Sequence, residues 1–219
     1  MPGRARRPRP GMMVTMVDQT QPVIEVEGAT VRFPAELALD GVDFRMFPGE
    51  VHSLMGENGA GKSTLIKAIT GVLPLDAGVI RLGGAEQRFR TPHDALAAGI
   101  STVYQEIDLL PNLSVAENIF LGREPRRLGA IHWSRMRQDA VSVLADLGVD
   151  IDVAAPLGSY SLAIQQLVAI ARAISTDVRV LILDEPTSSL DLDEVSELFR
   201  VIRELTGRGV AILFVSHFL

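Results

Sequence analysis

The chain has 219 residues, 47% of them apolar, enough for one packed domain with room for an inserted subdomain. Its net charge of −6 argues against generic nucleic-acid binding. The absence of cysteine excludes a disulfide framework, a cysteine-based zinc site and thiol catalysis, and it fits a reducing cytosol.

Residues 1–21 differ from the rest. Arg4, Arg6, Arg7 and Arg9 alternate with Pro2, Pro8 and Pro10, and Met12, Met13 and Met16 follow. The Arg6-Arg7 pair lacks the apolar stretch of an export signal. The expectation is a disordered basic tail, or a start assigned too early. Contact of the arginines with a membrane surface is the alternative. No apolar run in the chain reaches the roughly 18 residues needed to span a bilayer.

Val23 to Glu27 alternates as a strand does, and so does Ala29 to Phe33. Leu39 to Phe44 predicts another strand before the turn at Pro48-Gly49. Val51 to Met55 predicts a short buried strand, and Leu65 to Ile69 a helix. Gly71 to Gly78 reads as a loop, Val79 to Leu82 and Ile100 to Tyr104 as strands. Ser114 to about Asp146 reads as helical, with Met136, Ala140, Val141, Val143, Leu144 and Leu147 at helical spacing in its second half. Another helix is expected over Ala163 to Ile174.

Val178 to Leu183 is dominated by apolar residues, as in a parallel strand covered on both faces. Asp193 to Gly207 is an amphipathic helix closing on glycine, and Val210 to Val215 a second buried strand. Alternating strands and helices predict an α/β sheet with a mostly helical insertion near 110–155.

The chemistry is concentrated in Gly56-Glu57-Asn58-Gly59-Ala60-Gly61-Lys62-Ser63-Thr64, a G-x-x-x-x-G-K-[ST] loop set between a predicted strand and a predicted helix. Its glycines allow a tight turn and close approach to phosphate oxygens. Backbone N–H groups at a helix N-terminus favour an anion. Lys62 suits the outer phosphates, and Ser63 can place its hydroxyl on Mg²⁺. A second acidic element follows the buried run ending at Leu183. Asp184 is placed to hold Mg²⁺, and Glu185 to polarise an attacking water.

With these motifs in place, the chain from about Val23 to Leu219 resembles the ATP-binding cassette (ABC) ATPases. The resemblance implies a P-loop NTPase fold over 22–219, with N-terminal antiparallel strands, a mixed or parallel core sheet and a helical subdomain of about 110–175. Val103-Tyr104-Gln105-Glu106 looks like the family's glutamine loop, making Gln105 a contact to Mg²⁺ and water. Ser189-Leu190-Asp191 looks like the loop that crosses a dimer interface. Val215-Ser216-His217 looks like the switch-histidine strand, with His217 on the γ-phosphate. Phe33 aligns with the aromatic that stacks on adenine, and a core role for it remains open.

The signature departs from the family's L-S-G-G-Q. Here Tyr160-Ser161-Leu162-Ala163-Ile164 keeps the serine and replaces both glycines and the glutamine. Ser161 is expected to complete the site of a partner cassette, weakened by the added Cβ atoms. This degenerate signature, the stretch Pro111 to Glu124 and the stretch Val51 to Lys62 look like those of bacterial monosaccharide importers of ribose or galactofuranose type.

The resemblance implies ATP and Mg²⁺ as cofactors, and a second cassette, transmembrane permease subunits and, indirectly, a periplasmic sugar-binding protein as partners. It places the chain at the cytoplasmic face of the inner membrane. Because such importers carry two cassettes, the chain is expected to be a C-terminally truncated N-terminal cassette. Two other readings stay open: a non-transport ABC ATPase acting on ribosomes or DNA, and a remnant that binds ATP without turnover.

Overall fold

The computed structural model describes residues 21–34, 36–57, 59–104, 109–188 and 190–216. The expected basic tail up to residue 20, Asn58, Gln105, Glu106, Ser189 and His217 lie outside the described residues.

Strands β1 (Ile24–Phe33), β2 (Glu36–Met46), β4 (Ala77–Leu82) and β5 (Ala85–Gln87) form an antiparallel sheet in the order β2-β1-β4-β5. Strands β3 (Val51–Leu54), β6 (Ile100–Val103), β9 (Val180–Asp184) and β10 (Ala211–Val215) form a parallel sheet in the order β3-β10-β9-β6. A small antiparallel hairpin joins β7 (Arg126–Arg127) to β8 (Ala130–Ile131). The helices are α1 (Lys62–Ile69), α2 (Pro92–Ala97), α3 (Val115–Phe120), α4 (Trp133–Asp146), α5 (Leu162–Ile174) and α6 (Leu192–Gly207).

The period of two in β9 and β10 organises the core, because successive side chains leave a strand on opposite faces. Leu181, Leu183 and Ile212 enter one apolar cluster with α3, α4, α5 and α6. Val180, Ile182, Ala211, Leu213 and Val215 enter the other, with α1 and the antiparallel sheet. Strands β9 and β10 are therefore covered on both sides, which explains their dense apolar runs, whereas β3, expected to be buried, lies at the sheet edge with Val51 and Met55 exposed. The two-sided packing also places α1 and α5 against opposite faces.

Several expectations are corrected. The two N-terminal strands are one strand, β1, with register shifts after Val26, Ala29 and Val31. Gly28 takes φ 59° there, and its N–H donates to Asp43 Oδ1 at 2.7 Å. The helical stretch from Ser114 is two helices, α3 and α4, with Gly122, Leu128 and Gly129 at positive φ between them. Strand β5 and helix α2 were not anticipated, although α2 opens on Thr91-Pro92-His93-Asp94, a complete capping box with proline in its first turn.

Candidate functional site

The register of the parallel sheet aligns Leu54, Val215 and Asp184, with Leu183 beside Val103. The glycine loop leaves β3, and the Asp184-Glu185 pair closes β9. Both emerge at the carboxyl edge of one sheet, where open α/β sheets bind their ligands.

The loop is shaped by conformation at Gly59 and by space at Gly61. Gly59 has φ 87° and nothing within 4 Å of a virtual Cβ. At Gly61, with φ 83°, a Cβ would lie 2.7 Å from Ala38 O and 3.1 Å from Leu39 Cδ2. Strand β2 thus packs directly on the loop, and only glycine fits. The ammonium of Lys62 folds back over the loop, donating to Gly56 O and, at 2.8 Å, to Glu57 O. Ala60 N–H donates to Glu57 O at 3.2 Å, closing a turn inside the loop.

Helix α1 differs from every other α-helix among the described residues. Its N-cap is Gly61, with no side-chain cap and no acidic residue in the first turn. Thr91, Ser114, His132, Ser161 and Asp191 supply side-chain caps to α2 through α6. The first N–H groups of a helix need an acceptor. At α1, Lys62, Ser63 and Thr64 carry those donors with a lysine beside them, a donor set that fits a polyphosphate.

Asp184 is partly buried at the end of β9. Glu185 follows in the left-handed region at φ 48°, and its N–H donates to Val215 O at 2.9 Å. A non-glycine residue held there carries on the order of 1–3 kcal/mol of strain, sustained here by the neighbouring strand. Ser216 N–H donates to Leu54 O at 3.3 Å, binding the ends of β10 and β3 together.

Phe33 is exposed at the end of β1, opposite Glu36 of β2, on the hairpin whose second strand abuts Gly61. Its exposure argues against the core reading. Ser161 is not brought to the loop. It caps α5, accepting from Ile164 N–H at 3.4 Å, against the other face of the sheet. Leu162, in the position of a signature glycine, is 54% exposed.

Two features escaped sequence reasoning. A groove of about 450 Å³ lies between β6, α2 and α5, its walls including Val103, Tyr104, Leu109, Leu121 and Ala173. Beside it, Asn118 is fully buried in α3, where its amide accepts from Leu110 N–H at 2.7 Å and donates to Leu110 O at 3.0 Å and Ser114 O at 3.0 Å. This side chain holds residues 110–114 against the helix. Only its place in the Pro111–Glu124 stretch hinted at that.

The ABC transporter family model matches residues 39–188. The chain is 55% identical over 199 residues to the fructose import ATP-binding protein FruK of Bifidobacterium longum, covering 90% of this chain and 39% of that protein. It is 51% identical over 202 residues to the galactofuranose transporter ATP-binding protein YtfR of Escherichia coli K12, covering 92% and 40%. It is 51% identical over 198 residues to the ribose import ATP-binding protein RbsA of Burkholderia mallei, covering 90% and 39%. The chain thus spans about two fifths of the length of these curated relatives.

Among solved structures, the ADP conformation of an ATP-binding cassette of an ABC transporter superposes with a TM-score of 0.80 at 26% identity, over 90% of this chain and 82% of that one. The cbiO1 protein of Clostridium perfringens, part of an ABC transporter complex, gives 0.78 at 26% identity, over 90% and 79%. The matched residues take in the glycine loop, Asp184 and Glu185, and the chain belongs to the ABC transporter family.

Proposed function

We propose that the chain is an ATP-hydrolysing cassette that energises import of a monosaccharide through a membrane permease. The observation that carries this reading is the open N-terminus of α1 beside Lys62, facing the same sheet edge as Asp184 and Glu185. The names of the relatives, all sugar importers, support the direction and the substrate class.

In this reading the N–H groups of Gly59 to Thr64 and the Lys62 ammonium bind the phosphates of ATP. Gly56, Glu57 and Asn58 shape the loop, and Phe33 stacks on the adenine. Ser63, Asp184 and Gln105 would hold Mg²⁺, which neutralises charge on the phosphate oxygens when bound. Glu185 orients and deprotonates the attacking water. His217 contacts the γ-phosphate, and Ser161 completes the site of a second cassette. The roles of Gln105 and His217 rest on the family resemblance.

Helices α3, α4 and α5, within about 110–175, form the helical subdomain. Its groove beside Tyr104 and Leu109 receives the permease at the cytoplasmic face of the membrane. A periplasmic sugar-binding protein delivers substrate on the other side.

The test is ATP binding and turnover by the purified chain beside Lys62→Ala. The expected result is Mg²⁺-dependent ATP binding that the substitution lowers by at least about tenfold, as loss of one charge-assisted contact of 1.5–3 kcal/mol implies. Equal ATP binding by the two proteins would overturn the assignment.

A further inference from the structure

The hairpin β7–β8 presents an apolar tip at a conformational cost. Its turn residues Leu128 and Gly129 have φ of 52° and 85°, the paired positive values of a type I′ turn. Asparagine, aspartate or glycine is the inexpensive choice at the first position, and leucine there is strained. Burial does not offset the strain, because Leu128 is 101% exposed.

The charge around this tip is one-sided. Residues 123–137 hold Arg123, Arg126, Arg127, Arg135 and Arg137 against Glu124 alone, in a chain of net charge −6. Arg123 is committed to the end of α5, donating to Arg172 O and Ser175 Oγ, each at 3.1 Å. Arg135 is paired with Asp139 at 2.8 Å. Arg126 reaches Glu124 only at 4.0 Å, and Arg127 has no carboxylate within ion-pair range among the described residues.

Trp133, the only tryptophan of the chain, opens α4 two residues after β8 and is 47% exposed. His132 N–H donates to Pro125 O at 2.7 Å, clamping the base of the hairpin to the start of α4.

An exposed aliphatic tip, two exposed arginines on the strand before it and a half-exposed indole two residues after the hairpin match the chemistry of the headgroup region of an anionic bilayer. Indoles settle at that depth, and arginines are drawn to acidic headgroups. We propose that hairpin β7–β8 with Trp133 is a docking surface for an anionic lipid leaflet. The nearness of a bilayer rests on the transport reading above. The hairpin begins three residues beyond Arg123, which lines the groove proposed for the permease.

The experiment follows Trp133 emission and co-sedimentation of the chain with phosphatidylglycerol–phosphatidylcholine vesicles and with phosphatidylcholine alone. Expected are a blue shift and saturable binding with the anionic vesicles only, weakened by salt. Joint Arg126→Glu and Arg127→Glu changes weaken binding by at least about 25-fold, since each arginine near an acidic surface contributes roughly fivefold. Leu128→Asn raises the Tm by relieving the turn while lowering vesicle affinity, opposite movements that a purely structural role would not produce.

Unchanged Trp133 emission with anionic vesicles overturns the proposal. So does binding that survives the double reversal, which would assign it to the N-terminal arginines. Normal vesicle binding by the Arg126→Glu, Arg127→Glu variant together with lost co-purification of the permease would make the surface a protein contact and overturn it equally. ATP binding measured alongside separates the readings: retained ATP binding without a vesicle response sinks this inference alone.

Discussion

Helices α1 and α5 begin in opposite ways. At α1 the N-cap is Gly61, which offers no side chain, and among the described residues no side chain caps the first turn. At α5 the N-cap is Ser161, whose hydroxyl accepts from the helix's own Ile164 N–H, and exposed Leu162 stands next to it. Both are apolar helices packed on the same parallel sheet from opposite faces. A helix that satisfies its own donors has little left for a ligand, while one that leaves them open is less stable alone and gains when an anion arrives. The difference supports the proposed reading, in which α1 is the phosphate-holding end and α5 would contribute only through its Ser161 hydroxyl.

The sharpest way to separate holding from chemistry is Glu185→Gln. It leaves both helix ends intact and removes the proposed base. Turnover is expected to fall by roughly 10²–10⁴-fold with ATP binding retained. A single-turnover assay with a binding titration checks it, and normal turnover would remove Glu185 from its role.

Gly61→Ala attacks the open end directly. The new Cβ meets Ala38 O at 2.7 Å in a backbone at φ 83°. The loop must shift, and β2 cannot yield without disturbing its pairing with β1. We expect stability lowered by about 1–3 kcal/mol and ATP affinity lowered with it, read by denaturant melts and titration. The same change at Gly59, where no neighbour lies within 4 Å, leaves only the backbone strain, so Gly59→Ala is the milder of the two.

The open end was legible in the sequence because its requirements are local: glycines at fixed offsets, then lysine and a hydroxyl, after a short strand. Strands β9 and β10 were legible because burial on both faces writes an apolar run into the chain. The capping box of α2 was also written there, in Thr91 and Asp94, but six residues carry too little periodicity to announce a helix. The β7–β8 hairpin was hidden because Leu128-Gly129 lacks the usual turn signature and its strands are two residues long. Ser161 was read as serving a partner's site and not this loop, but the face that α5 takes was not legible, since only the sheet's two-sided packing decides it. The groove at Tyr104 and the Asn118 network are tertiary, and no spacing rule encodes them.

Leu162→Gly probes whether the closed end can be reopened. Removing the side chain restores room for close approach of a phosphate from a partner site, at a cost of up to about 1 kcal/mol in helix propensity. The expected outcome is a slightly lower Tm with higher turnover in the two-cassette assembly. Unchanged turnover would mean that Leu162 does not limit that site.

The smallest effect belongs to Ser161→Ala, and its interest lies in the mismatch between two readouts. The cap it removes is weak: its hydroxyl accepts at 3.4 Å and lacks an acidic partner at the third helical position, whereas Asp191 accepts from Glu194 N–H at 2.9 Å within a full capping box. Stability should therefore fall by only about 0.5 kcal/mol for Ser161→Ala, against about 1–2 kcal/mol for Asp191→Ala. Asp191→Ala supplies the calibration for cap loss in the same melt. If Ser161 is only a cap, turnover in the two-cassette assembly follows this small loss. If its hydroxyl serves the partner's phosphate, turnover drops well beyond what the melt accounts for, and α5 then belongs to the chemistry despite being closed.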